Sequence, residues 1–322
     1  MINLQTIMAL IGRDIQVAKT YLTEGKLVAI PTETVYGLAA NALNKEAVLD
    51  IFSAKKRPSF DPLIIHSTKD KIFRWVTAVP EKARQLADTF WPGSLTLVLP
   101  KSEEVPFEVT SGLDTVGIRV PKHDLTQDLL AQLDFPLAAP SANPFGYISP
   151  TTAQHVNDQL GEEVDYILDG GACDIGIEST IVGFESGEPV IYRLGGLTVE
   201  AIESVVGRVN IRVNQASDPR APGMLKAHYA PGKPLILADD LSMVKDDPDA
   251  ACLLFGVSPD IPADRCFNMS DRGDYYEAAA RLYALLRELD HSPYKKIYAR
   301  LLPEEGLGLA INDRLRRAAA QE

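Results

Sequence analysis

Apolar positions along this chain fall into two periods. Over Arg13–Glu24, Lys45–Lys55 and Glu81–Phe90 they recur every three to four residues, the spacing of one helix face. Gly25 follows the first of these segments and suits a helix C-terminus; Asn44 precedes the second and suits an N-cap. The third stops at Trp91-Pro92-Gly93. Between them lie short apolar, often β-branched runs: Lys26–Ile30, Pro62–His66, Ser94–Leu99, Thr115–Val120, Pro136–Ala139, Tyr166–Leu168, Thr180–Phe184 and Val190–Arg193. Strands and helices interleaved this densely predict an α/β fold, a twisted open sheet with flanking helices. The order is too irregular for eight equal strand–helix units, which argues against a barrel.

The pattern breaks near residue 214. NQASDPRAPGMLKAHYAPGKP is rich in Pro, Gly, Ser and Asn, the composition of a linker. A second, smaller α/β pattern follows, with strands expected at Leu235–Ala238, Ala251–Phe255 and Lys296–Ala299. The helix expected over Tyr275–Leu289 places Ala279, Leu282, Leu285, Leu286 and Leu289 along one face. The expected organisation is a first domain over 1–213, a linker over 214–234 and a second domain over 235–322.

Composition narrows the class without changing this picture. The 322 residues are 46% hydrophobic and 24% charged, as in water-soluble globular proteins. No apolar run approaches the roughly 18–20 residues needed to span a bilayer, and MINLQTIMALIGRDIQ lacks the marks of a secretory signal. Three cysteines (Cys173, Cys252, Cys266) stand far apart, which fits a reducing cytoplasm and argues against a disulfide framework or a zinc knuckle. A net charge of −12 speaks against a general nucleic-acid coat protein, though not against a local basic pocket.

The common catalytic signatures are missing. GxxxxGK[ST], GxGxxG after a strand, HExxH and GxSxG do not occur, and five scattered histidines give no metal-ligand spacing. Three polar clusters follow predicted strands or helices instead. They are PTETVYGLA (31–39), Lys55-Lys56-Arg57-Pro58 leading to Asp61 and His66, and Pro140-Ser141-Ala142-Asn143-Pro144. Each has an ordinary structural reading. Lys and Arg at a helix C-terminus complement its dipole, Ser-x-Asn between prolines makes a turn, and His66 at a strand end suits a core. Pooled outside the strand ends, where open α/β sheets bind ligands, they would offer cations, hydroxyls and an amide to one anionic ligand.

PTETVYGLAANA, KKRPSFDPLIIH, WPGSLTLVL, VGIRVP, APSAN and the IEST-IV segment resemble, in order and spacing, the YrdC/Sua5 family of threonylcarbamoyl-AMP synthases over about residues 13–207. The stretch APGMLKAHYAP and the small domain after it resemble the longer Sua5 form. The resemblance implies a YrdC-like sheet with a smaller Rossmann-like C-terminal domain. It also implies a nucleotidyltransferase that joins L-threonine, bicarbonate and ATP into threonylcarbamoyl-AMP and pyrophosphate, for the t6A modification at position 37 of tRNA. By resemblance, Thr34, His66, Arg119, Ala139 and Ser179 would bind L-threonine. Arg57, Asp61, Thr115, Ser141, Asn143, Ser149, Arg193 and Tyr229 would bind ATP, with Lys55 and Arg57 gripping the phosphates as the catalytic pair. Mg2+ would arrive with the ATP, its protein ligands unspecified. The linker would fold over the active site, and downstream t6A-transfer proteins would take the product. Stable direct tRNA binding and membrane association are not expected.

The residues suit that reaction independently. Carbamate attack on an α-phosphate needs positioning and charge neutralisation and no covalent nucleophile. A free carbamate decomposes in water, so the site should be deep and closable. Two other readings compete: an RNA-binding module, disfavoured by the acidic balance, and a carbamoyl-adenylate former like the related domain of hydrogenase-maturation proteins. The latter are longer and carry zinc-finger-like and acylphosphatase segments missing here.

Overall fold

The computed structural model describes residues 9–213, 228–257 and 260–320. Most of the linker, residues 214–227, lies outside the described residues, and with it Met224, Leu225 and Lys226.

Local chemistry sets the helix ends. Asp14 caps Ile15–Thr23 by accepting from the Gln16 amide at 2.8 Å, and Gly25 follows at φ +81°, where a side chain would be strained. Asn44 caps Lys45–Lys55, and Lys56 ends that helix in the left-handed conformation. Pro58, two residues on, cannot continue the helix, so the chain turns and sends Arg57 inward.

The described part of the first domain forms an eleven-stranded mixed sheet. Its central strands lie in the order Val28–Ile30, Gly37–Asn41, Leu137–Ala138, Ile64–His66, Thr115–Arg119, Leu95–Pro100, Thr180–Glu185 and Glu188–Arg193. Three short strands complete the edges: Tyr166–Leu168 and then Leu10–Gly12 on one side, and Asn210–Ile211 on the other. Along this order parallel and antiparallel neighbours are mixed. Helices Lys45–Lys55, Glu81–Phe90 and Val199–Val206 cover one face over a core that includes Ile65, Leu97, Ile118 and Ile191. On the other face Ile15–Thr23 and Asp124–Ala131 cover only the half around Val28, Ile30 and Leu137. The rest of that face holds a separate small cluster around Ile64, Ile181 and Tyr192, and the linker end at His228 and Tyr229 meets it at Ile64.

The second domain is a four-stranded parallel sheet, ordered Leu235–Leu237, Lys296–Ala299, Ala250–Leu254 and Cys266–Asn268. Tyr275–His291 buries the expected face, Ala279, Leu282, Leu285, Leu286 and Leu289, and Leu307–Ala319 packs beside it. Their core is continuous with Val35, Ile148 and Ile177 of the first domain and with Tyr229. Gly176 permits this approach: a Cβ there would lie 2.5 Å from the backbone of Ala279 and Ala280. The open α/β sheet with flanking helices and the smaller Rossmann-like unit agree with the sequence reading.

Several elements escaped that reading. Gly37–Asn41 looked like the tail of a loop motif, because GLAAN has no β-branched residue; pairing with Val28–Ile30 makes it a strand. The three-residue strands Leu10–Gly12 and Cys266–Asn268 carry too little periodicity to be recognised.

Candidate active site

Strand register gathers the site. His66 and Arg119 are neighbours on parallel strands, Arg119 pairs with Thr96 on the next strand, and Thr96 with Ile181 beyond it. Side chains two apart share a face, so Ile64 joins His66, while Gly117 and Thr115 join Arg119. A Cβ on Gly117 would touch Ile64 and Thr96 at 3.2 and 3.4 Å, so the glycine keeps the floor low. The resulting pocket is lined by Gly37, Ile64, His66, Arg119, Ala139, Ser141, Ser179 and Arg193 from the sheet and its loops. Most of the lining residues stand at or just beyond strand ends, as expected: His66, Arg119 and Arg193 end their strands, Thr32, Ala139 and Ser141 follow theirs, and Ser179 precedes its own. In a mixed sheet these ends come from both edges, so the pocket also reaches across the face at Ile64.

Three guanidinium groups converge there, each oriented by the protein. Arg119 ion-pairs with Glu33 at 2.9 Å and donates to the Thr34 hydroxyl at 2.8 Å and to the Gly93 carbonyl at 3.4 Å. Among the described residues its Nη1 makes no hydrogen bond. Arg57 is held by the Asp61 carboxylate at 2.8 Å and by the carbonyls of Asp61 and Pro62. Arg193 donates to both the carbonyl and the hydroxyl of Ser179 at 3.0 Å, and that hydroxyl lies 2.8 Å from the Thr96 hydroxyl.

Burial, aided by Arg119, pushes His66 down to about 3, so its imidazole is neutral and a poor base. Among the described residues its Nδ1 has no hydrogen-bond partner. Burial and the charge of Arg57 together lower the Lys55 ammonium well below its ordinary range.

The structure brings most, not all, of the expected residues to this pocket. Arg57, His66, Arg119, Ala139, Ser141, Ser179, Arg193 and Tyr229 line it. Thr34 stands behind Arg119 and orients it; Thr32, two residues earlier, faces the cavity instead. Lys55 does not line the cavity either. Its ammonium donates to the carbonyls of Ser141, at 2.5 Å, and Asn143, which clamps the Ser-x-Asn turn. Asn143 is itself buried, its amide closing that turn onto Pro144 and Tyr147. Asp61 serves Arg57, and Ser149 donates at 2.6 Å to Glu178. Thr115 sits four residues along the strand from Arg119, on the same face but off the cavity wall.

Sequence reasoning missed Glu178 and left His228 out of the site. Glu178 precedes Ser179 in the IEST segment, and His228 precedes Tyr229 at the end of the linker. Both line the pocket. Ala230 pairs with Tyr147, and its amide bonds the Gly146 carbonyl at 3.0 Å, which ties the linker end to the loop after the Ser-x-Asn turn. Tyr229 is 1% exposed and left-handed at φ +63°. With this segment in place the pocket holds only about 50 Å³ of free space.

Among the described residues, no three His, Cys, Asp or Glu are placed to hold a metal. Nor is any described helix long and apolar enough to cross a membrane.

Comparison with known proteins places this geometry. Residues 20–195 match the Sua5/YciO/YrdC family model, described as "Telomere recombination". Residues 197–320 match the model described as "Threonylcarbamoyl-AMP synthase, C-terminal domain". The chain is 41% identical to the threonylcarbamoyl-AMP synthase of Pyrococcus abyssi, over 95% of this chain and 94% of that protein. It is 39% identical to the Bacillus subtilis protein of the same name, over 94% and 92%. Among solved structures, P. abyssi Sua5 complexed with L-threonine superposes with a TM-score of 0.88 at 40% identity, covering 97% of both chains.

Proposed function

The chain belongs to the Sua5/YciO/YrdC family in its two-domain Sua5 form, and we propose that it makes threonylcarbamoyl-AMP and pyrophosphate from L-threonine, bicarbonate and ATP. The observation that carries this reading is the convergence of Arg57, Arg119 and Arg193 on one small pocket of about 50 Å³ beside a neutral imidazole. That inventory suits two anionic substrates and a reaction that needs no covalent nucleophile.

Arg119 takes the threonine carboxylate through its uncommitted nitrogen, as a charge-assisted bond. Neutral His66, Thr32 and Ser179 meet the amine and the hydroxyl, and Ala139 lies beneath. Thr34 acts one step back, by fixing Arg119. The neutral threonine amine attacks the carbon of bicarbonate-derived CO2, and its proton leaves with the hydroxide that bicarbonate releases, so the products are a carbamate and one water. A carbamate oxygen then attacks the α-phosphorus, the bond to the β-phosphate oxygen breaks, and pyrophosphate leaves. With a proton affinity as low as it has here, His66 orients substrate and does not store the proton.

Arg57, Arg193 and Ser141 neutralise and align the triphosphate, with Tyr229 closing over it and Thr115 at the far end of the groove. Lys55, Asp61, Asn143 and Ser149 support this arrangement by holding the residues that touch the nucleotide. Mg2+ is assigned only as the companion of ATP. Both oxygens of Glu178 and the carboxylates of Glu33 and Asp61 are already committed to protein partners, so they do not make a resident metal site.

Because the closed pocket is too small for a nucleotide, His228 and Tyr229 must move for ATP to enter; closed again, they keep water from the carbamate. The product would pass in the cytoplasm to proteins that transfer the threonylcarbamoyl group to tRNA. The test is pyrophosphate release, which should require threonine and bicarbonate together. Release with ATP alone would refute the assignment.

A further inference from the structure

Glu178 is the meeting point of the two domains at the pocket wall. Its Oε1 accepts from the Ser149 hydroxyl at 2.6 Å, and the Tyr283 hydroxyl lies 2.9 Å from Oε2 and 3.1 Å from Oε1. Oε2 also takes Nε and Nη2 of Arg314 at 3.1 and 3.0 Å. Burial would raise this carboxyl, but the charges of Arg314 and Arg193 and the bond from Ser149 bring it down to about 2. Ionised and fully engaged, Glu178 is neither a base nor a metal ligand.

Arg314 does more than neutralise it. Its Nη1 donates to the Leu194 carbonyl at 2.5 Å. Glu178 immediately precedes Ser179, and Leu194 immediately follows Arg193. Ser179 and Arg193 are themselves bonded within the pocket. One guanidinium from the second domain thus grips both ends of the Ser179–Arg193 pair. The same group lies 5.2 Å from the ring centroid of Tyr229, and the Tyr283 ring stacks on Tyr229 at 5.8 Å. Tyr229 holds a left-handed backbone that a bulky residue adopts only when its surroundings impose it. A buried ion pair is a poor general adhesive, since apolar side chains of similar size would join the domains as well. Its placement at these backbone positions points to geometry.

We propose that Arg314 and Tyr283 are positioning residues for the pocket: acting through Glu178 and the ring of Tyr229, they hold the linker end shut over the nucleotide subsite. The assignment of that subsite rests on the function proposed above. Of the threonine contacts only Ser179 adjoins the pair they hold; His66, Arg119, Thr32 and Ala139 stand on first-domain elements that neither residue touches, so the nucleotide should respond far more than threonine.

The test uses the full chain with Arg314→Lys, which keeps the charge and loses the forked contacts, and with Tyr283→Phe, which loses only the hydroxyl. For Arg314→Lys, threonine affinity should stay within about twofold of wild type. The KM for ATP should rise about tenfold or more, with kcat less affected, and amide exchange at 228–230 should quicken by a similar factor. Tyr283→Phe should move the same quantities in the same direction by about threefold, and it carries the test if Arg314→Lys does not fold. A folded variant with unchanged exchange and unchanged KM for ATP would overturn the proposal. So would equal losses for both substrates. Exchange is read without turnover, so the two claims fail separately. Slow exchange in the variant beside an active wild type sinks the latch; fast exchange beside an inactive wild type sinks the synthase assignment.

Discussion

Arg119 and Glu33 form a buried ion pair at 2.9 Å, inside a pocket assigned to an amino acid. The carboxylate fixes one side of the guanidinium, Thr34 fixes the same nitrogen, and the other terminal nitrogen is left for a ligand. A cation held this way loses little freedom when it binds, which favours affinity.

Arg119→Ala should therefore weaken threonine binding and leave ATP binding nearly unchanged. Loss of one charge-assisted contact costs about 1.5–3 kcal/mol, roughly 10- to 100-fold in affinity. Arg57→Ala should do the reverse, weakening ATP and slowing pyrophosphate release. Calorimetry with each ligand reads both effects, and exchanged phenotypes would refute the two roles.

Lys55 tests a distinction that sequence alone left undrawn. As a clamp on the carbonyls of Ser141 and Asn143, it should be needed for stability as well as for the nucleotide. Lys55→Met strands two buried carbonyls at about 1–3 kcal/mol each, so the melting temperature should fall and the KM for ATP should rise. An unchanged melting temperature with a collapsed kcat would mean that Lys55 acts on the phosphates directly.

Much of this site was legible because its chemistry is local. Arg57, His66, Ser141, Ser179 and Tyr229 belong to contiguous motifs whose composition is odd for a strand end or a spacer. Thr34 and Lys55 were legible as important, but whether a side chain faces a ligand or braces one that does depends on which neighbour packs behind it. Arg314 and Tyr283 were not legible as part of the site. Each sits on an amphipathic helix more than 100 residues from Glu178, and no local pattern encodes that meeting. The mixed direction of the sheet was likewise hidden, since pairing partners are set by tertiary packing.

Acid should loosen the molecule well above the carboxylate range. His66 and His228 are pushed down to about 3 by burial, whereas in the unfolded chain they titrate near 6.5. Below pH 6.5 the unfolded state binds protons that the folded state refuses, so stability falls as pH drops from 6.5 toward 3. Each site should contribute about 2 kcal/mol of loss at pH 5. Glu178 adds to the loss only below its ordinary pKa of 4.5, as pH falls toward 2. Thermal melts from pH 8 to 4 should show the decline, with a shallower slope in His66→Gln. A flat profile between pH 6.5 and 5 would contradict the buried neutral histidines.

Tyr229→Phe isolates the hydroxyl of the covering segment. Among the described residues the hydroxyl makes no hydrogen bond, while the ring packs against His228, Tyr283 and Arg314. Folding should therefore be retained within about 1 kcal/mol, and the KM for ATP should rise several-fold if that hydroxyl meets the nucleotide. Melting and steady-state kinetics on the same preparation separate the two effects.

The central claim, a synthase that joins threonine, bicarbonate and ATP, is tested most directly by mass spectrometry of the nucleotide product. The protein would be incubated with ATP, isotopically labelled bicarbonate and either threonine or valine. Threonine should give an adenylate that carries one labelled carbon and the mass of threonylcarbamoyl-AMP. Valine should give far less of its counterpart, because it leaves the groups that meet the threonine hydroxyl unpaired at about 1–3 kcal/mol each. Equal product from valine, or an adenylate without the label, would contradict the account.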